Sequence, residues 1–393
     1  MDNFTHTLLG LAISKAGLER ATPLATTTLV ISSNLPDIDV LSRLEGGTVS
    51  YLEYHRGFTH GFVGLALLAG ALTLVLMLLD SRFRLRRDPF RRPLRPGKIF
   101  LIAYLGGLGH TLMDFTNNYG VRPLLPFSNR WFYGDLVFVA DPWIWLILGC
   151  GVVWLTTTDA ARTHLWLVAG IILALIVGLA LRHPYDSGIV AIPTTARAIW
   201  FGGLAVVVAG TVFRWGRTGA KLARYSLLVL ALYYCGMWMA HQSAKKEAQN
   251  SFTASGVTSM SVWPAPANPL LWQAAGKTGD AVFTRDVNLS NRQEQWRELP
   301  ALDLKLADAL RQSSEPRTVL DFMRYGTANV EQRPDGTTVV ALRDLRFNLR
   351  MRLRTSDLIV LPLPSPHHRI DYAKWRRSAY APASFPIRWQ QQL

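Results

Sequence analysis

The segment Tyr54-His55-Arg56-Gly57-Phe58-Thr59-His60 places two imidazoles five residues apart, just before a long apolar run. Neutral imidazole is a common ligand for divalent cations, and two of them with a carboxylate or a third His leave a position open for water. On a continuous helix, residues five apart point about 140° away from each other. His55 and His60 therefore converge on one ion only if the chain turns at Arg56-Gly57, where Gly permits the turn; otherwise they are two interfacial histidines with no ligand role. In the convergent case His60 opens a helix and His55 sits on the loop before it. Gly109-His110-Thr111-Leu112-Met113-Asp114 adds a His and an Asp at i and i+4. They share one helical face, so both reach one ion, or the Asp orients the His. A carboxylate in an apolar helix is costly unless paired or coordinated. Asn34-Leu35-Pro36-Asp37-Ile38-Asp39 brings two more carboxylates on a rigid turn, which also suits an Asx-type cap. Phe4-Thr5-His6 and the residues to Ala12 repeat the F-T-H-x-x-x-G-L-A pattern of Phe58 to Ala66. There Thr braces a helix start, His projects from its first turn, and Gly lets another helix approach.

The elements that must position these groups are membrane helices. The 393 residues are 49% hydrophobic and only 18% charged, with 13 Trp and a mean hydropathy of +0.15, a balance tilted towards membrane proteins. Clear apolar runs cover Gly61 to Leu79, Leu165 to Leu181, Ala198 to Phe213 and Tyr225 to Ala240. Ile99 to Met113, carrying His110, and Leu136 to Leu155, carrying Asp141-Pro142, are less clean. Phe4 to Ala16 and Thr22 to Leu35 are short and read as a thinly spanning or re-entrant hairpin. The N-terminus lacks the basic region and small-residue site of a cleavable signal peptide. Cys150 and Cys235 lie in apolar spans as packing residues.

The net charge of +15 raises the question of nucleic acid, but its distribution points elsewhere. Arg82 to Lys98 carries eight basic residues against Asp88, and Arg214, Arg217, Lys221 and Arg224 form a second cluster. Both occupy short loops between apolar runs, where the positive-inside rule puts such clusters on the cytoplasmic face. With those loops inside, His6, Asp37, His60, His110 and Asp114 all fall on the outer face. Phe115 to Asp135, rich in aromatics and Pro, becomes an outer loop, either an interfacial belt or a lid; Asp135 and Asp141 are further candidate ligands.

From Lys245 onward no run spans a membrane. Val262 to Pro269 reads as an extended linker or polyproline II segment, Pro300 to Arg311 and Arg317 to Tyr325 as helices. Leu345, Phe347, Leu349, Met351 and Leu353 alternate with Arg346, Asn348, Arg350, Arg352 and Arg354, a strand with a basic face that is solvated or meets anionic lipid. The expected fold is a mostly α-helical polytopic membrane protein with a C-terminal soluble α+β domain. Its parts are a membrane-embedded metal-site domain (1–135), transmembrane helices (136–242) and an extracytoplasmic α+β domain (243–393).

The pattern of His6, Pro36-Asp37-Ile38-Asp39, His55-Arg56-Gly57-Phe58-Thr59-His60 and His110-Thr111-Leu112-Met113-Asp114 resembles the YdjM/YbcI-type family of membrane-bound metal-dependent hydrolases. Trp263-Pro264-Ala265-Pro266-Ala267-Asn268-Pro269-Leu270-Leu271-Trp272 resembles its longer members. The family is in turn similar, more distantly, to zinc-dependent phospholipase C and the P1-type nucleases, which cleave phosphoesters with zinc held by His and Asp. The resemblance implies His55, His60, His110 and Asp114 as metal ligands, with His6 and Asp37 in addition. It also implies a divalent cation, zinc, as one to three ions, and a multi-pass bacterial inner-membrane location. This chain shows one clear HxxxD pair.

The expected chemistry is attack of metal-activated water on a phosphoester of a lipid or lipid-linked substrate. Asp39 or Asp37 would act as general base or as an orienting carboxylate, and Arg56 would hold a phosphate oxygen or anchor the chain at the interface. The partners are the lipid bilayer and that substrate, not nucleic acid. Two other functions compete: a non-catalytic metal-binding membrane scaffold, and a transporter using His110, Asp114 and Asp141 as an ion path.

Overall fold

The computed structural model describes residues 1–84, 90, 92–157, 159–182, 194–213, 215, 219–252, 256–279, 281–290, 296–332, 338–347 and 359–362. Nine α-helices of the described residues precede the first strand: α1 (Asn3–Lys15), α2 (Ala25–Ser32), α3 (Arg43–Tyr54), α4 (Phe62–Leu79), α5 (Pro96–Phe115), α6 (Pro142–Thr156), α7 (Ala160–Arg182), α8 (Thr194–Val212) and α9 (Ala220–Ser251). Two 3-10 segments, Leu35–Ser42 and Phe58–His60, sit between α2 and α3 and between α3 and α4. Among the described residues, three stretches are long and apolar enough to cross a membrane, Phe62–Phe83, Thr194–Val212 and Ala220–Ser251, with shorter apolar helices at Pro142–Thr156 and Ala160–Ile172.

The first helices are short for a bilayer. At about 1.5 Å per residue, the 13 residues of α1 and the 8 of α2 reach about 20 and 12 Å, less than the roughly 30 Å hydrocarbon core. They fold back on each other, and α5 packs beside them. Two glycines make this approach close: a Cβ on Gly10 would meet Ser33 Oγ at 2.7 Å and the Leu29 carbonyl at 3.0 Å, and one on Gly106 would meet Ser32 Oγ at 2.0 Å. The run Leu136 to Leu155 becomes helical only at Pro142, because Asp141 caps α6 by accepting from the Trp143 and Ile144 amides.

The 32-residue α9 is about 48 Å long, so it outruns the bilayer core and continues into the C-terminal part. Its far end, with Ala244 and Ala248, packs in one apolar cluster with Val262, Trp272 and Val287. There β1 (Ser259–Ala265), β2 (Asn268–Lys277), β3 (Ala281–Asn288) and β4 (Arg297–Pro300) form an antiparallel meander. After α10 (Leu304–Leu310) and α11 (Ser314–Phe322), β5 (Gly326–Gln332), β6 (Thr338–Asp344) and β7 (Ile359–Pro362) make a second antiparallel sheet.

Two C-terminal expectations need correction. Trp263 to Pro269 is a β-hairpin, not a linker: β1 is the edge of its sheet, so Pro264 removes no ladder hydrogen bond, and Trp263 and Trp272 are wholly buried. Leu345–Phe347 is a 3-10 turn after β6 instead of the start of a strand. Its Arg346 is 1% exposed and points inward onto backbone carbonyls, so it belongs to no solvated basic face. Asn348 to Arg354 lie outside the described residues, as do Arg86, Arg87, Asp88, Arg91, Arg214 and Arg217 of the two basic loops.

Candidate metal centre

Four elements end at one place. The start of α1 brings His6, the 3-10 segment after α2 brings Asp37 and Asp39, the 3-10 turn before α4 brings His60, and the last turns of α5 bring His110 and Asp114. His55 caps the C-terminus of α3. The turn that lets the two imidazoles of the His55–His60 segment converge is made at Arg56, whose φ is +55°. Gly57 is needed for space: a Cβ there would lie 2.7 Å from the Tyr54 carbonyl and 2.9 Å from the Arg122 guanidinium.

At the centre, His60 Nε2 and His110 Nε2 lie 3.0 Å apart. Asp37 Oδ1 is 3.5 Å from each, and Asp114 Oδ2 is 3.2 Å from His60 and 3.4 Å from His110. Donors at 2.0–2.2 Å from one tetrahedral ion are about 3.3–3.6 Å apart, so these separations fit a single four-coordinate cation.

The far sides of the two rings decide what their Nε2 atoms offer. His110 Nδ1 is 2.7 Å from the Ser33 carbonyl, which only accepts, so Nδ1 carries the proton. That carbonyl is free to accept because Ser33 caps the C-terminus of α2, where carbonyls lack helical partners. His60 Nδ1 faces Asp39 Oδ2 at 3.3 Å, and Thr59 Oγ donates to the same oxygen at 3.0 Å. Both Nε2 atoms therefore turn lone pairs toward each other and toward two carboxylates. A divalent cation satisfies that arrangement, and second-shell partners of this kind are what orient histidine ligands. The two Asp114 oxygens and both His6 ring nitrogens are buried without a hydrogen-bond partner.

A second group, Asp37, Asp39 and His55, shares Asp37 with the first. His55 Nδ1 donates to Asp39 Oδ1 at 2.9 Å. Burial holds the His55 imidazole down at about 4, against the pull of Asp39. Burial alone would raise the Asp39 carboxyl, but the hydrogen bonds from His55 and His60 outweigh it and keep Asp39 well below the usual carboxylate range. His6 stacks on His110 with centroids 3.7 Å apart and meets Asp114 through the other oxygen, Oδ1, at 3.4 Å. The Met1 amino nitrogen also contacts that oxygen.

Arg56 is fully enclosed. Its Nη2 lies 3.1 Å from Asp114 Oδ1, its Nη1 donates to Asn117 Oδ1 at 2.8 Å, and its guanidinium lies over the Tyr119 ring at 4.6 Å. Asp135 and Asp141 are elsewhere: Asp135 is paired with Arg324 at 2.8 Å, and Asp141 caps α6 and accepts from Tyr233 at 2.8 Å.

Residues 1–185 match the family model described as YdjM inner membrane protein. The uncharacterized protein YfhP of Bacillus subtilis (strain 168) is 27% identical to the chain over 157 residues, 37% of this chain and 43% of YfhP. The chain thus spans less than half of that relative's length. No solved structure matches the chain at a significant level. All the candidate metal ligands lie within residues 1–185.

The C-terminal part reaches the same place, which motif spacing did not reveal. Arg346 donates to the Asn118 carbonyl at 3.3 Å and the Tyr119 carbonyl at 3.2 Å, while Phe322 of α11 packs on the Tyr119 ring at 4.8 Å. Tyr119 in turn carries Arg56 and stands edge-on to His55 at 5.3 Å. The Asn117-Asn118-Tyr119-Gly120 stretch gave the only trace of this in sequence, as polar residues between aromatic and Pro-rich ones.

Proposed function

We propose that this chain is a membrane-bound metal-dependent hydrolase acting on a phosphoester bond of a lipid or lipid-linked substrate. The observation that carries this reading is the convergence of two imidazole lone pairs and two carboxylates at 3.0–3.5 Å. His60, His110, Asp37 and Asp114 would hold one divalent cation, and this nitrogen and oxygen set suits zinc. Asp37, Asp39 and His55 would hold a second, while His6 is a further donor beside the first, next to His110 and Asp114. When bound, such a cation lowers the pKa of water and polarises a phosphoryl oxygen.

The other residues have separable roles. Both Asp39 oxygens already accept hydrogen bonds, so in the absence of a second cation orienting His55 and His60 is favoured over general base. Arg56 supplies a fixed positive charge beside Asp114, with its Nε buried and without a hydrogen-bond partner, suited to a phosphoryl oxygen. The likeness to zinc-dependent phospholipase C and P1-type nucleases rests on the HxxxD pair and the donor types. The basic loops, read by the positive-inside rule, support an extracytoplasmic position for the site and the C-terminal part.

One observation favours a second reading. Four protein donors complete a tetrahedral shell, and closed shells are typical of structural sites, which would make the chain a metal-binding membrane scaffold. Elemental analysis of the purified protein and of His110→Ala, with a phosphodiester and phospholipid hydrolysis screen, tests both. The hydrolase reading expects bound metal in the parent, its loss in the variant, and activity abolished by chelator. Metal without activity would favour the scaffold; no metal in the parent would remove both.

A further inference from the structure

The 3-10 segment Leu35–Ser42 is inside out for a surface in water. Asp39 is buried and Asp37 turns to the donor cluster, while Ile38, Val40 and Leu41 stand exposed beside them, followed by Leu44 at 83% exposed. Two other segments add to the same rim. Phe58 and Phe62 are exposed at the start of α4, and the turn after Pro123 is tied there because the Phe62 amide donates to the Pro123 carbonyl at 3.0 Å. That turn presents Leu124 and Phe127, the latter 86% exposed. Exposed apolar side chains gathered in this way mark an interaction site.

The partner follows from what continues the rim. Further along α4, Val63, Leu67 and Leu74 are exposed and apolar too, and α4 belongs to a stretch long and apolar enough to cross a membrane. The rim therefore lies where hydrocarbon gives way to head groups. Arg43, with its guanidinium over the Tyr51 ring at 4.0 Å, and Arg130, over Phe132 at 5.3 Å, accompany it. Apolar side chains mixed with aromatics and arginine are the composition of segments that lie in a membrane interface.

Behind the rim is a cleft of about 890 Å³. Leu41, Phe58, Leu125 and Pro126 line it from the rim, and α11 lines it with Ser314, Arg317 and Thr318. Asp39 and Thr59, which hold His60, also belong to its lining, so the cleft joins the rim to the donor cluster. Charges of both signs face it. Arg317, whose Nε donates to the Arg311 carbonyl, and Glu53 have no partner of opposite charge among the described residues. An amphiphile matches a space that is charged within and oily at its edge: its head takes the place of water around the charges while its tails stay on the rim.

We propose that the cleft is a side entrance from the bilayer, with the rim seated in the leaflet at the start of α4 and a membrane phospholipid entering head first while its acyl chains remain on the rim. The inference deepens the proposed function by giving the lipid its route, and it rests on that reading only in taking the donor cluster as the destination. It also divides the aromatic, Pro-rich loop after α5. Its 123–127 turn is interfacial belt, whereas Tyr119 and Trp131 lie under Phe322 of the C-terminal part.

The test uses the full chain in nanodiscs of phosphatidylcholine and phosphatidylglycerol, without added metal. One probe is a phosphatidylcholine with a diazirine at the end of an acyl chain, the other a phosphatidylethanolamine with a diazirine on its head; adducts are mapped by peptide mass spectrometry after irradiation. The tail probe should mark the peptides carrying Leu44 and Phe127, the head probe those carrying Tyr54 and Thr318, and neither should mark β3. Leu44→Glu combined with Phe127→Glu changes exposed positions only, so circular dichroism should match the parent while head-probe adducts on α11 fall about tenfold. A rim that the tail probe leaves unmarked overturns the proposal, and a dimer in native mass spectrometry with that result gives the rim to a second copy. A marked rim with α11 unmarked by the head probe overturns the entrance, as do undiminished α11 adducts in the double variant. Labelling needs no cation, so a labelled cleft in a chain that takes up no zinc removes the hydrolase reading and leaves the entrance.

Discussion

The Asp39 carboxylate accepts from His55, from the Arg56 amide and from Thr59, and it faces His60 Nδ1. It ties the turn that makes the site to the rings that would bind the cation. Orienting carboxylates of this kind are worth roughly 10–100-fold in metal affinity. Asp39→Asn keeps the shape and exchanges an acceptor for a donor, so zinc affinity should fall by about that factor while the helix content holds. Chelator competition measures it, and an unchanged affinity would count against the orienting role. The spacing in the sequence located both histidines and the need for a turn between them. It placed the turn at Arg56-Gly57, and there Arg56 carries the positive φ; the buried pairing of its guanidinium with Asp114 and Asn117 is a long-range contact that outweighs the local strain.

At the scale of elements, the loop after α5 is held from two sides. Arg56 grips it from the membrane part, and Arg346 and Phe322 grip it from the C-terminal part. Arg346→Met leaves buried carbonyls at Asn118 and Tyr119 without their donor, at about 1–3 kcal/mol for each unsatisfied group. Denaturation should show that loss, and zinc affinity should drop with it because Tyr119 no longer fixes Arg56; wild-type affinity in a destabilised variant would sever the link. A pH effect belongs to α11. Burial raises the Glu315 carboxyl to about 7 from its usual 4.5, so the folded state binds more protons than the unfolded chain between those values. The stability tied to this group is full below about 4.5 and lost as pH rises towards 7. Glu315 is half-exposed, so the effect is small. Glu315→Gln should raise the melting temperature by a few degrees at most at pH 8 and leave it unchanged at pH 4.5; the same gain at both pH values would refute the burial argument.

For the whole molecule, α9 joins the membrane part to the two sheets, and the donor cluster lies on the same side as those sheets. The proposed orientation puts that side outside the cytoplasm. An alkaline phosphatase reporter, active only outside the cytoplasm, should be active when fused after residue 252 and inactive when inserted within 90–95. The reverse pattern would put the site and the C-terminal part in the cytoplasm. The apolar runs, the basic loops and the His/Asp types were all legible in the chain, because each is a local property: hydropathy over one helix length, charge in one loop, donor chemistry in one side chain. That His110 and Asp114 share one face followed from i, i+4 geometry, which one helix dictates. Which nitrogen of each imidazole is turned inward, that Asp37 joins them while His6 lies on the far oxygen of Asp114, and that Arg346 and α11 cover the loop beneath Arg56 were decided only by the tertiary structure. Those relations depend on how separate helix ends and a distant sheet come to rest against each other, and packing over such sequence separations leaves no periodic trace in the chain.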